Sequence, residues 1–456
     1  MAGMFKAYDI RALNEELTDE LCYKIGVAFC KMLQKETDKA DVNIVIGYDM
    51  RPTSPRIAQA VIDGITDMGG SVTDIGLCSS PMNYFSAATL DVDGAAIITA
   101  SHNSTKWNGL KFCRRGGVSL TYESGIRFIE EFTEKFEIDN IDVSETKGKT
   151  EKHDIKPEYT KLMCSLTNVE GPLKIVVDAG NGTMGMEVPL FSQNFPELEI
   201  IPMYFELDGT FPNHDANPMK SKNLVDLQKR VVEEKAHFGV AFDGDGDRTI
   251  FIDEKGNAIP ADFITAFIAK FKVEENNNSG NIFYDLRSSK IVSEVVKISG
   301  GNPIMCRVGH SYIQELMTEN NAIFAGELSG HYFYREFFNC DNGILTLIQM
   351  INFLSAEREP LSVYLREFQK YFASGEINFK VSNARETLNK FREKYSDMFD
   401  TDMDGVRFES EDFWFVVRPS NTEPVVRLTL ESTTEKMMKE KLAEITALIM
   451  KDGTAE

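Results

Sequence analysis

Short runs of apolar residues alternate along the chain with longer stretches in which apolar residues recur at helical spacing. The run from Val42 to Gly47 has the length and composition of a buried strand. After it, apolar residues fall on one face of a predicted helix, at Ile57, Ala58, Val61, Ile62 and Ile65. Strands that alternate with amphipathic helices are typical of parallel sheets. The pattern therefore predicts an α/β fold for most of the chain.

Three segments of the chain repeat one pattern. Each begins with an apolar strand that ends in an aspartate, namely Asp49, Asp178 and Asp285. Each closes with a second apolar strand that leads into a polar cluster, and these clusters begin at Thr99, Asp243 and Gly326. The intervals differ, so we interpret the segments as degenerate repeats. Because functional groups gather beyond the carboxyl ends of such strands, the pattern predicts three related mixed α/β domains around a central cleft.

The last part of the chain has a different pattern. From about Ser374 it predicts a strand, a helix over 384–395, three further strands and a closing helix over 433–450. This arrangement is typical of a smaller α+β domain. Charged or turn-forming residues interrupt the pattern between the segments. We therefore predict four domains, with the ranges 1–150, 151–254, 255–368 and 369–456.

Composition and charge limit the classes of function. The 456 residues include 49 Lys+Arg and 71 Asp+Glu, a formal net charge of −22, which disfavours binding to nucleic acid or to anionic membranes. A small anionic substrate needs only a few local cations. The sequence shows neither a signal-peptide core nor an apolar run long enough to span a membrane. Seven scattered cysteines without a C-x-x-C pair indicate free thiols, and we predict a cytoplasmic protein.

The sharpest local signal is the segment Asp243–Arg248, which follows a predicted strand. Its glycines allow the backbone to turn tightly enough for Asp243, Asp245 and Asp247 to converge on one cation. Three carboxylates without a histidine suit Mg²⁺ better than zinc or copper. A solvated acidic turn is the alternative, but strict alternation directly after a buried strand favours the metal site. The adjacent Arg248 makes sense if a phosphate shares the metal.

Three other polar clusters follow predicted strands. Thr99–Asn103 offers the hydroxyl of Ser101, and without a G-x-S-x-G elbow it suits phosphoryl transfer better than acyl hydrolysis. Arg418–Pro424 combines a guanidinium, hydroxyls and an amide, as in a phosphate-binding turn. Gly326–His331 offers groups that suit sugar hydroxyls. Each of these clusters, taken alone, also fits an ordinary cap or turn.

Two segments match known sequence motifs, but their surroundings in the chain do not suit those motifs. Gly180–Gly185 satisfies the dinucleotide fingerprint G-x-G-x-x-G, but nothing else supports an NAD-linked dehydrogenase, and a tight strand–helix turn is the simpler interpretation. Asp400–Gly405 with Glu411 fits the EF-hand expression letter for letter. Strands are predicted beside it instead of two flanking helices, so an exposed acidic loop is favoured over a calcium-binding module.

Together these segments resemble the α-D-phosphohexomutase family, and specifically its phosphomannomutase/phosphoglucomutase branch. The similarity runs nearly end to end through motifs in the family's order: Lys6–Arg11, Thr99–Lys111, Asp243–Arg248, Gly326–His331 and Arg418–Pro424. The fold that the resemblance implies has four domains around a central cleft, three of them related α/β units. This agrees with the repeats inferred from the hydrophobic pattern.

The resemblance implies an enzyme that interconverts hexose 6-phosphate and hexose 1-phosphate, with mannose or glucose as the hexose. It implies a phosphoserine enzyme, Mg²⁺ as cofactor, and a hexose 1,6-bisphosphate as intermediate and activator. The implied catalytic residues are Ser101, Lys111, Arg11 and His331. The implied metal ligands are Ser101, Asp243, Asp245 and Asp247. The implied substrate-binding residues are His102, Arg248, Arg307, His310, Glu327, Ser329, Arg418, Ser420, Asn421, Thr422 and Arg427.

Several positions depart from the family's pattern and leave the preferred sugar open. Ser104 stands where the family usually has proline, and Ala12 stands where it usually has glycine. Arg307 and Arg287 occupy positions where lysine is common, and arginine does not replace lysine in geometry or proton transfer. Leu328 fits the mannose/glucose branch better than the phosphoglucosamine mutases, which are the alternative within the family.

Overall fold

A computed structural model describes residues 3–135, 144–357, 359–419, 425–451 and 453–455. The chain divides into two compact units. The first unit comprises residues 1–260, 314–318 and 329–362, and the second comprises residues 261–313, 319–328 and 363–456. The four domain ranges and the central cleft inferred from the sequence stay predictions, because this division separates only two units.

The first unit begins with a seven-stranded sheet. Its strands are β1 (Ile10–Leu13), β2 (Asn43–Tyr48), β3 (Ser71–Leu77), β4 (Gly94–Ile98), β5 (Trp107–Arg114), β6 (Val118–Ser119) and β7 (Thr150–Lys152). The order is β1-β5-β4-β2-β3-β7, with β6 paired to β5. The helices of this part are α1 (Asp19–Thr37), α2 (Ser54–Asp67), α3 (Ser80–Thr89) and α4 (Arg127–Lys135). Strand β2 is parallel to β3 and β4, and β5 is antiparallel to β1 and β4.

The second sheet of the first unit has four strands, β8 (Leu173–Asp178), β9 (Leu198–Met203), β10 (Phe238–Phe242) and β11 (Thr249–Asp253). The order is β11-β10-β8-β9, and only the edge strand β11 is antiparallel to its neighbour. The helices of this part are α5 (Lys156–Ser165), α6 (Met184–Ser192) and α7 (Val225–Glu234). The turn between β10 and β11 contains the aspartates of the predicted metal site.

The next part of the chain contributes elements to both units. Its elements are α8 (Ala261–Glu275), β12 (Asn281–Asp285), α9 (Lys290–Ile298), β13 (Asn302–Cys306), α10 (His310–Glu319), β14 (Phe324–Gly326), β15 (Tyr332–Tyr334), β16 (Cys340–Asp341), α11 (Gly343–Ala356) and α12 (Leu361–Tyr364). In the second unit, β12 lies parallel to β13 and to β14. In the first unit, β15 and β16 form an antiparallel pair.

The C-terminal part belongs to the second unit and is antiparallel throughout. Its elements are β17 (Phe372–Val381), α13 (Ala384–Lys394), β18 (Phe399–Thr401), β19 (Val406–Glu409), β20 (Phe413–Pro419), β21 (Val425–Ser432), α14 (Glu435–Ile449) and β22 (Gly453–Ala455). The strand order is β18-β19-β20-β21-β17-β22. The predicted fold class, mixed α/β sheets followed by an α+β domain, is confirmed.

The three predicted repeats have the same construction at atomic level. In each, the two strands identified from the sequence are direct parallel neighbours, as β2 and β4, β8 and β10, and β12 and β14. The aspartate that ends the first strand accepts a hydrogen bond from the backbone N–H two residues later, at Asp49, Asp178 and Asp285. The repeated aspartate therefore shapes the turn that leaves each strand.

Helix packing in the first unit follows the predicted apolar face. All five apolar residues predicted on α2 are buried. Helices α1 and α2 approach closely because each has a glycine at the crossing. A Cβ on Gly26 would lie 2.2 Å from the carbonyl oxygen of Val61, and a Cβ on Gly64 would lie 2.2 Å from that of Tyr23. Replacing either glycine would force the helices apart.

Glu187 on α6 is a buried carboxyl group, with 2% of its surface exposed. Both of its carboxylate oxygens lack a hydrogen-bond partner among the described residues. Burial raises the pKa of Glu187 to about 8, against the smaller opposing effects of Ser79, Tyr159 and Lys156. The folded protein therefore keeps this group protonated at neutral pH, whereas the unfolded chain ionises it.

Because the pKa of Glu187 is raised on folding, its contribution to stability is complete below the unfolded pKa and is lost as pH rises towards about 8. We expect Glu187→Gln to raise the free energy of unfolding at pH 8 by about 4 kcal/mol, with little change near pH 4.5. Thermal unfolding of both proteins between these pH values measures the effect. Substitution of the exposed Glu197 by glutamine is the matched control. Unfolding curves that stay parallel across the pH range would contradict the expectation.

Candidate active site

Ser101 lies directly beyond strand β4 and is buried, with 2% of its surface exposed. Its backbone has a φ of 49°, in the left-handed region that side chains with a Cβ rarely adopt. The Ser101 Oγ–H donates to Asp243 Oδ2 at 2.7 Å, and the same hydroxyl lies 3.2 Å from His102 Nδ1. The Ser101 N–H donates to Thr99 Oγ1 at 2.9 Å. The turn therefore points a serine hydroxyl at the predicted metal ligands.

The aspartates at 243–247 form a buried cluster whose candidate ligand atoms lie within 4.8 Å of one another. Asp243 Oδ1 accepts from the backbone N–H groups of Gly246, Asp247 and Arg248 at 3.1 to 3.2 Å. These bonds fold the segment back on itself. Burial and the neighbouring carboxylates of Asp247 and Asp245 raise the pKa of Asp243 well above its ordinary value. The cluster thus concentrates negative charge that a cation would neutralise.

The glycines of the G-x-G-x-x-G turn have a packing role beside this cluster. A Cβ on Gly182 would lie 2.8 Å from the carbonyl oxygen of Gly244. Gly246 has a φ of 76°, and a Cβ there would lie 2.2 Å from Met184 Cε. Thr183 donates both its N–H and its hydroxyl to the Gly244 carbonyl oxygen. Gly182 therefore lets two backbone turns approach each other. A Cβ on Gly185 would lie 2.1 Å from the carbonyl oxygen of Phe205, and Gly180 has a φ of 52°. Packing and turn geometry thus account for the fingerprint glycines without a dinucleotide.

Lys111 on β5 lies inside the acidic cluster. Its Nζ donates to Asp245 Oδ2 at 2.6 Å and to Asp247 Oδ2 at 2.5 Å, and it also reaches Ser80 Oγ at 3.2 Å. Burial opposes its charge, but the two aspartates outweigh burial and raise the pKa of Lys111 well above its ordinary value. Lys111 is therefore a charged ammonium group, and Ser80 at the start of α3 helps to hold it.

The residues present fit a hard divalent cation. Asp245 and Asp247 each give one oxygen to Lys111, while the second oxygen, Oδ1, is buried without a hydrogen-bond partner among the described residues. Carboxylate oxygens are the ligands that Mg²⁺ prefers, and two unsatisfied ones lie here beside Asp243. Buried carboxylate oxygens without a partner are unfavourable, so a bound cation would stabilise them. The cluster can thus hold a cation and the Lys111 ammonium at the same time.

His331 lies on the other side of Asp247, between charged partners. Its Nδ1 is 2.6 Å from Asp341 Oδ2 and 3.7 Å from Asp247 Oδ1, and Arg248 Nε donates to its Nε2 at 2.9 Å. Burial lowers the pKa of His331, but the carboxylates of Asp247 and Asp341 outweigh it and raise the value overall. Asp341 was not identified from the sequence, although it follows His331 by only ten residues.

Arg11 on β1 holds the segment that carries Ser101. Its guanidinium donates to Asp9 Oδ2 at 2.6 Å, to Asn103 Oδ1 at 2.8 Å and to the Ala100 carbonyl oxygen at 3.2 Å. Burial and the positive charges of Arg248 and Arg11 lower the pKa of His102 well below its ordinary value. The structure thus brings Ser101, Lys111, Arg11, His331, His102, Arg248 and the three aspartates together in the first unit.

A second group of predicted residues belongs to the second unit. Glu327 Oε1 accepts from the Gly309 N–H at 3.0 Å and lies 3.8 Å from Arg287 Nη2. The guanidinium of Arg307 stacks on the ring of Tyr312, 3.8 Å from its centroid. His310, also predicted, is the first residue of α10. The predicted residue Ser329 follows β14 in the chain and belongs to the first unit.

Three arginines of the second unit surround one carboxylate, Glu376 on β17. Arg287 Nη1 and Arg418 Nη2 each lie 3.4 Å from Glu376 Oε2, and Arg427 Nη1 lies 3.5 Å from Oε1. Despite burial, these cations lower the pKa of Glu376 below its ordinary value. We call these three arginines and Glu376 the arginine cluster. The predicted residues Ser420, Asn421 and Thr422 lie outside the described residues.

The segment that fits the EF-hand expression lies among strands. It joins β18 to β19, and Glu411 precedes β20. Two of its aspartates pair with arginines, Asp400 with Arg407 at 3.0 Å and Asp404 with Arg418 at 3.6 Å. Helices do not flank the described loop, so the favoured interpretation as an acidic loop agrees with the structure.

Taken together, a buried serine hydroxyl, an all-carboxylate cluster and several arginines define a phosphoryl-transfer enzyme as the class that this site fits. Comparison with domain families agrees. Family models described as phosphoglucomutase/phosphomannomutase match the chain as alpha/beta/alpha domain I over residues 2–137, domain II over 157–256, domain III over 260–371 and the C-terminal domain over 376–448.

Similar proteins indicate the same family over nearly the whole length of the chain. Phosphomannomutases of Vibrio cholerae serotype O1 and of Methanocaldococcus jannaschii are each 36% identical to this chain, over 98% of both sequences. The phosphomannomutase of Escherichia coli K12 is 35% identical over 94% of both. The chain belongs to the phosphoglucomutase/phosphomannomutase family. It is a mutase that acts on hexose phosphates.

Solved structures share the fold. A phosphoglucomutase/phosphomannomutase family protein from Burkholderia thailandensis is 28% identical, with a TM-score of 0.88 over 99% of this chain and 98% of the other. A phosphoglucomutase from Paramecium, parafusin, is 16% identical with a TM-score of 0.76, over 100% of this chain and 97% of the other, and shows the fold alone. Among the described helices, none has both the length and the apolar character needed to cross a bilayer.

Proposed function

We propose that this chain is a Mg²⁺-dependent phosphohexomutase that interconverts the 6- and 1-phosphates of mannose, of glucose or of both through a phosphoserine at Ser101. The observation that carries the proposal is the 2.7 Å hydrogen bond from Ser101 Oγ to Asp243, within a buried cluster of three aspartates. Relatives named phosphomannomutase support mannose as one of the sugars. Small anionic sugars suit a chain whose overall charge of −22 disfavours binding to nucleic acids and membranes.

Asp243, Asp245 and Asp247 would hold the Mg²⁺ ion, together with an oxygen on phosphorylated Ser101. When bound, the ion neutralises charge on the phosphoryl group that is transferred. The buried and unsatisfied Oδ1 atoms of Asp245 and Asp247 support this assignment.

Two transfers in opposite directions would complete the reaction. In the first, the bond between phosphorus and Ser101 Oγ breaks while phosphorus bonds to a hydroxyl oxygen of the hexose phosphate. The sugar hydroxyl loses a proton and Ser101 Oγ gains one, which yields a hexose 1,6-bisphosphate. After the intermediate reorients, its other phosphate returns to Ser101 by the same exchange. A free hexose 1,6-bisphosphate would therefore act as activator by phosphorylating unmodified Ser101.

The cations around Ser101 would stabilise the transferring group and move its protons. Lys111 and Arg11 would offset the charge of the phosphoryl oxygens, and their positions are set by ion pairs with aspartates. Lys111 and His331 would assist proton transfer. The hydrogen bond of His331 to Asp341 supports this role, because it fixes the orientation of the imidazole. His102 and Arg248 would contact the phosphate that reacts.

The remaining predicted residues would bind the rest of the substrate. Glu327 and Ser329 would accept and donate hydrogen bonds to sugar hydroxyls, and Arg307 and His310 would also bind the substrate. The non-reacting phosphate would be bound by Arg418, Ser420, Asn421, Thr422 and Arg427. A clamp on a distant phosphate supplies binding energy that orients the reacting end. The convergence of Arg418 and Arg427 on one carboxylate supports an anion-binding role for them.

The proposed domains divide these tasks. Domain 1–150 would carry the Ser101 loop, 151–254 the metal loop, 255–368 the sugar-binding loop and 369–456 the phosphate-binding loop. We propose a cytoplasmic location for the enzyme, since its seven cysteines are free thiols, six of them buried.

Peptide mapping tests the phosphoserine. After incubation with glucose 1,6-bisphosphate and Mg²⁺, the intact mass should rise by one phosphoryl group, and the modified peptide should contain Ser101. A chelator added beforehand should prevent the modification, because the aspartate cluster then lacks its cation. Modification of another residue, or mutase turnover by a protein that never carries phosphate, would contradict the proposal.

A comparative assay tests the choice of sugar. Mannose 1-phosphate, glucose 1-phosphate and glucosamine 1-phosphate are compared by kcat/KM under identical conditions. The proposal requires that mannose or glucose exceed glucosamine. A preference for glucosamine 1-phosphate would instead favour the phosphoglucosamine mutases, the alternative within the family.

A further inference from the structure

We propose that Arg51, which the motifs did not identify, is a positioning residue for phosphoryl transfer at Ser101. The inference rests on the proposed function of Ser101 as the phosphate carrier. Arg51 follows β2 by three residues and is almost completely buried, with 1% of its surface exposed. Its role would be to hold the backbone of the Ser101 turn in the one arrangement that points the hydroxyl at Asp243.

The guanidinium of Arg51 binds four backbone carbonyl groups of this turn. Nη2 donates to the carbonyl oxygens of Ser101 at 2.8 Å and Asn103 at 2.7 Å. Nη1 donates to those of Ser104 at 2.9 Å and Trp107 at 3.1 Å. All four N–H groups at the ends of the guanidinium are thus used on one short segment. Arginine provides this planar set of donors and lysine does not.

The Ser101 turn needs such support because its backbone is strained. A serine with a φ of 49° is less stable by about 1 kcal/mol than the same residue in an ordinary conformation, and it persists only if the surroundings enforce it. A proline at position 104 would restrict the backbone of the turn, but this chain has Ser104 there. The conformation of the turn therefore depends on hydrogen bonds. Arg51 supplies four of them, including one to Ser101 itself.

Arg51 is itself held from several sides. Its Nε donates to Asp49 Oδ2 at 3.1 Å, and the other oxygen of Asp49 accepts from the Arg51 N–H at 2.9 Å. The ring of Phe211 lies 5.0 Å from the guanidinium carbon. Gly209 passes so close that a Cβ there would lie 2.5 Å from Arg51 Cα. The guanidinium can therefore serve as a fixed reference for the turn.

Comparison of the three repeats shows that an arginine two residues after the aspartate is not required to form the fold. The third repeat also has an arginine two residues after its aspartate, but the guanidinium of Arg287 bonds chiefly to Asp285 itself, at 2.8 and 3.0 Å, with Glu376 and Glu327 farther away at 3.4 and 3.8 Å. The second repeat has Gly180 at that place and still forms the same aspartate turn. The arginine is therefore dispensable for building the strand and its turn. What is particular to Arg51 is its set of bonds to the Ser101 segment.

Arg51 contacts the Ser101 carbonyl oxygen, and its hydrogen bonds do not include the hydroxyl that would react. It would act through the backbone, so its loss should slow transfer without weakening the binding of substrate. A displacement of about 1 Å at a reacting atom lowers rates by about 100-fold.

The first test compares Arg51→Lys with the unsubstituted protein in steady-state mutase assays. We expect kcat to fall by about 100-fold and KM to change by less than about threefold, since the donors of the Arg51 guanidinium are all engaged by Asp49 and the Ser101 segment. Single-turnover phosphorylation of Ser101 by glucose 1,6-bisphosphate, followed by mass, should slow by the same factor as kcat. Arg51→Ala should recover part of the lost kcat when millimolar guanidinium is added, because free guanidinium can replace the missing donors. A variant that is inactive only because it is less stable would not recover.

A matched control is Arg56→Lys. Arg56 also donates to a backbone carbonyl oxygen, that of Leu17 at 2.8 Å, but it lies on the surface and does not reach the Ser101 segment. It should keep full turnover. If Arg51→Ala fails to fold, Gly209→Ala provides a second probe, because its new methyl group pushes on the Arg51 backbone while every donor remains. Its kcat should fall by about tenfold with KM unchanged.

Two results would overturn the role of Arg51: normal kcat in Arg51→Lys together with normal turnover in Gly209→Ala, or a rise in KM that accounts for the whole loss. These are distinguishable from failure of the proposed function. If Ser101 never carries phosphate in the unsubstituted protein, the phosphoserine proposal fails first. If it does, and Arg51→Lys phosphorylates at the normal rate, only the positioning role is wrong.

Discussion

Replacing Ser101 by alanine is expected to reduce mutase turnover by on the order of 10⁴-fold or more. The hydroxyl of Ser101 is the group that would exchange the phosphoryl group with the sugar, and it is buried against Asp243 at 2.7 Å. Alanine removes the acceptor and leaves the surrounding cations and carboxylates in place. Turnover is measured in both directions with a saturating hexose 1,6-bisphosphate, so that activator supply does not limit the rate. The variant should also remain unphosphorylated by intact mass.

The control for this substitution lies three residues away. Ser104→Ala removes a hydroxyl from the same segment, but Ser104 is exposed and contributes its backbone carbonyl to Arg51. Its turnover should therefore stay within about twofold of normal. Retention of activity by Ser101→Ala would exclude the phosphoserine mechanism.

The second large effect is expected from Asp245→Asn. Oδ2 of Asp245 accepts from Lys111 and Ser80, and its buried Oδ1 is free for a cation. Asparagine must present its NH₂ group either to the cation or to the Lys111 ammonium, and both arrangements are repulsive. We expect Mg²⁺ affinity to fall on the order of 100-fold, with activity that recovers only partly at high Mg²⁺. Calorimetric titration and the Mg²⁺ dependence of kcat measure the change.

Asp253→Asn tests whether this effect is specific. Asp253 ends the adjacent strand β11, and its Oδ1 likewise accepts from two backbone N–H groups, those of Lys255 and Asn257. It shapes a turn of the same kind but has no part in the acidic cluster. Its Mg²⁺ affinity should equal that of the unsubstituted protein. Equal losses in both variants would show that the turn, and not the cation, explains the effect.

The regular elements could be predicted because their signal is local. The strand over 42–47 is found at Asn43–Tyr48, and the helix predicted over 384–395 is found at Ala384–Lys394. The three repeated strand pairs are direct parallel neighbours. Such patterns depend on burial of residues close in sequence, which the order of apolar and polar positions records.

The contacts that organise the site could not be predicted in this way, because they join residues far apart. Lys111 reaches Asp245 across 134 positions, and Arg51 reaches Ser101 across 50. A lysine in a strand and an arginine after one carry no local mark of these partners. The Asp-x-Arg pair at Asp49 and Asp285 was a usable signal, since it recurs in two of the three repeats. The motifs placed Lys111 near the serine only through resemblance to the family.

The arginine cluster would have a consequence for how the second unit exchanges ligands under the proposed function. Because Glu376 already neutralises part of the charge of Arg287, Arg418 and Arg427, a phosphate that binds there would not meet bare cations. It would replace one anion by another, so the net gain would be the difference between two interactions rather than the whole of one. A carboxylate that competes in this way would keep the residence of an anion short. That property would suit the proposed mechanism, in which the intermediate must leave one orientation before it can adopt the other.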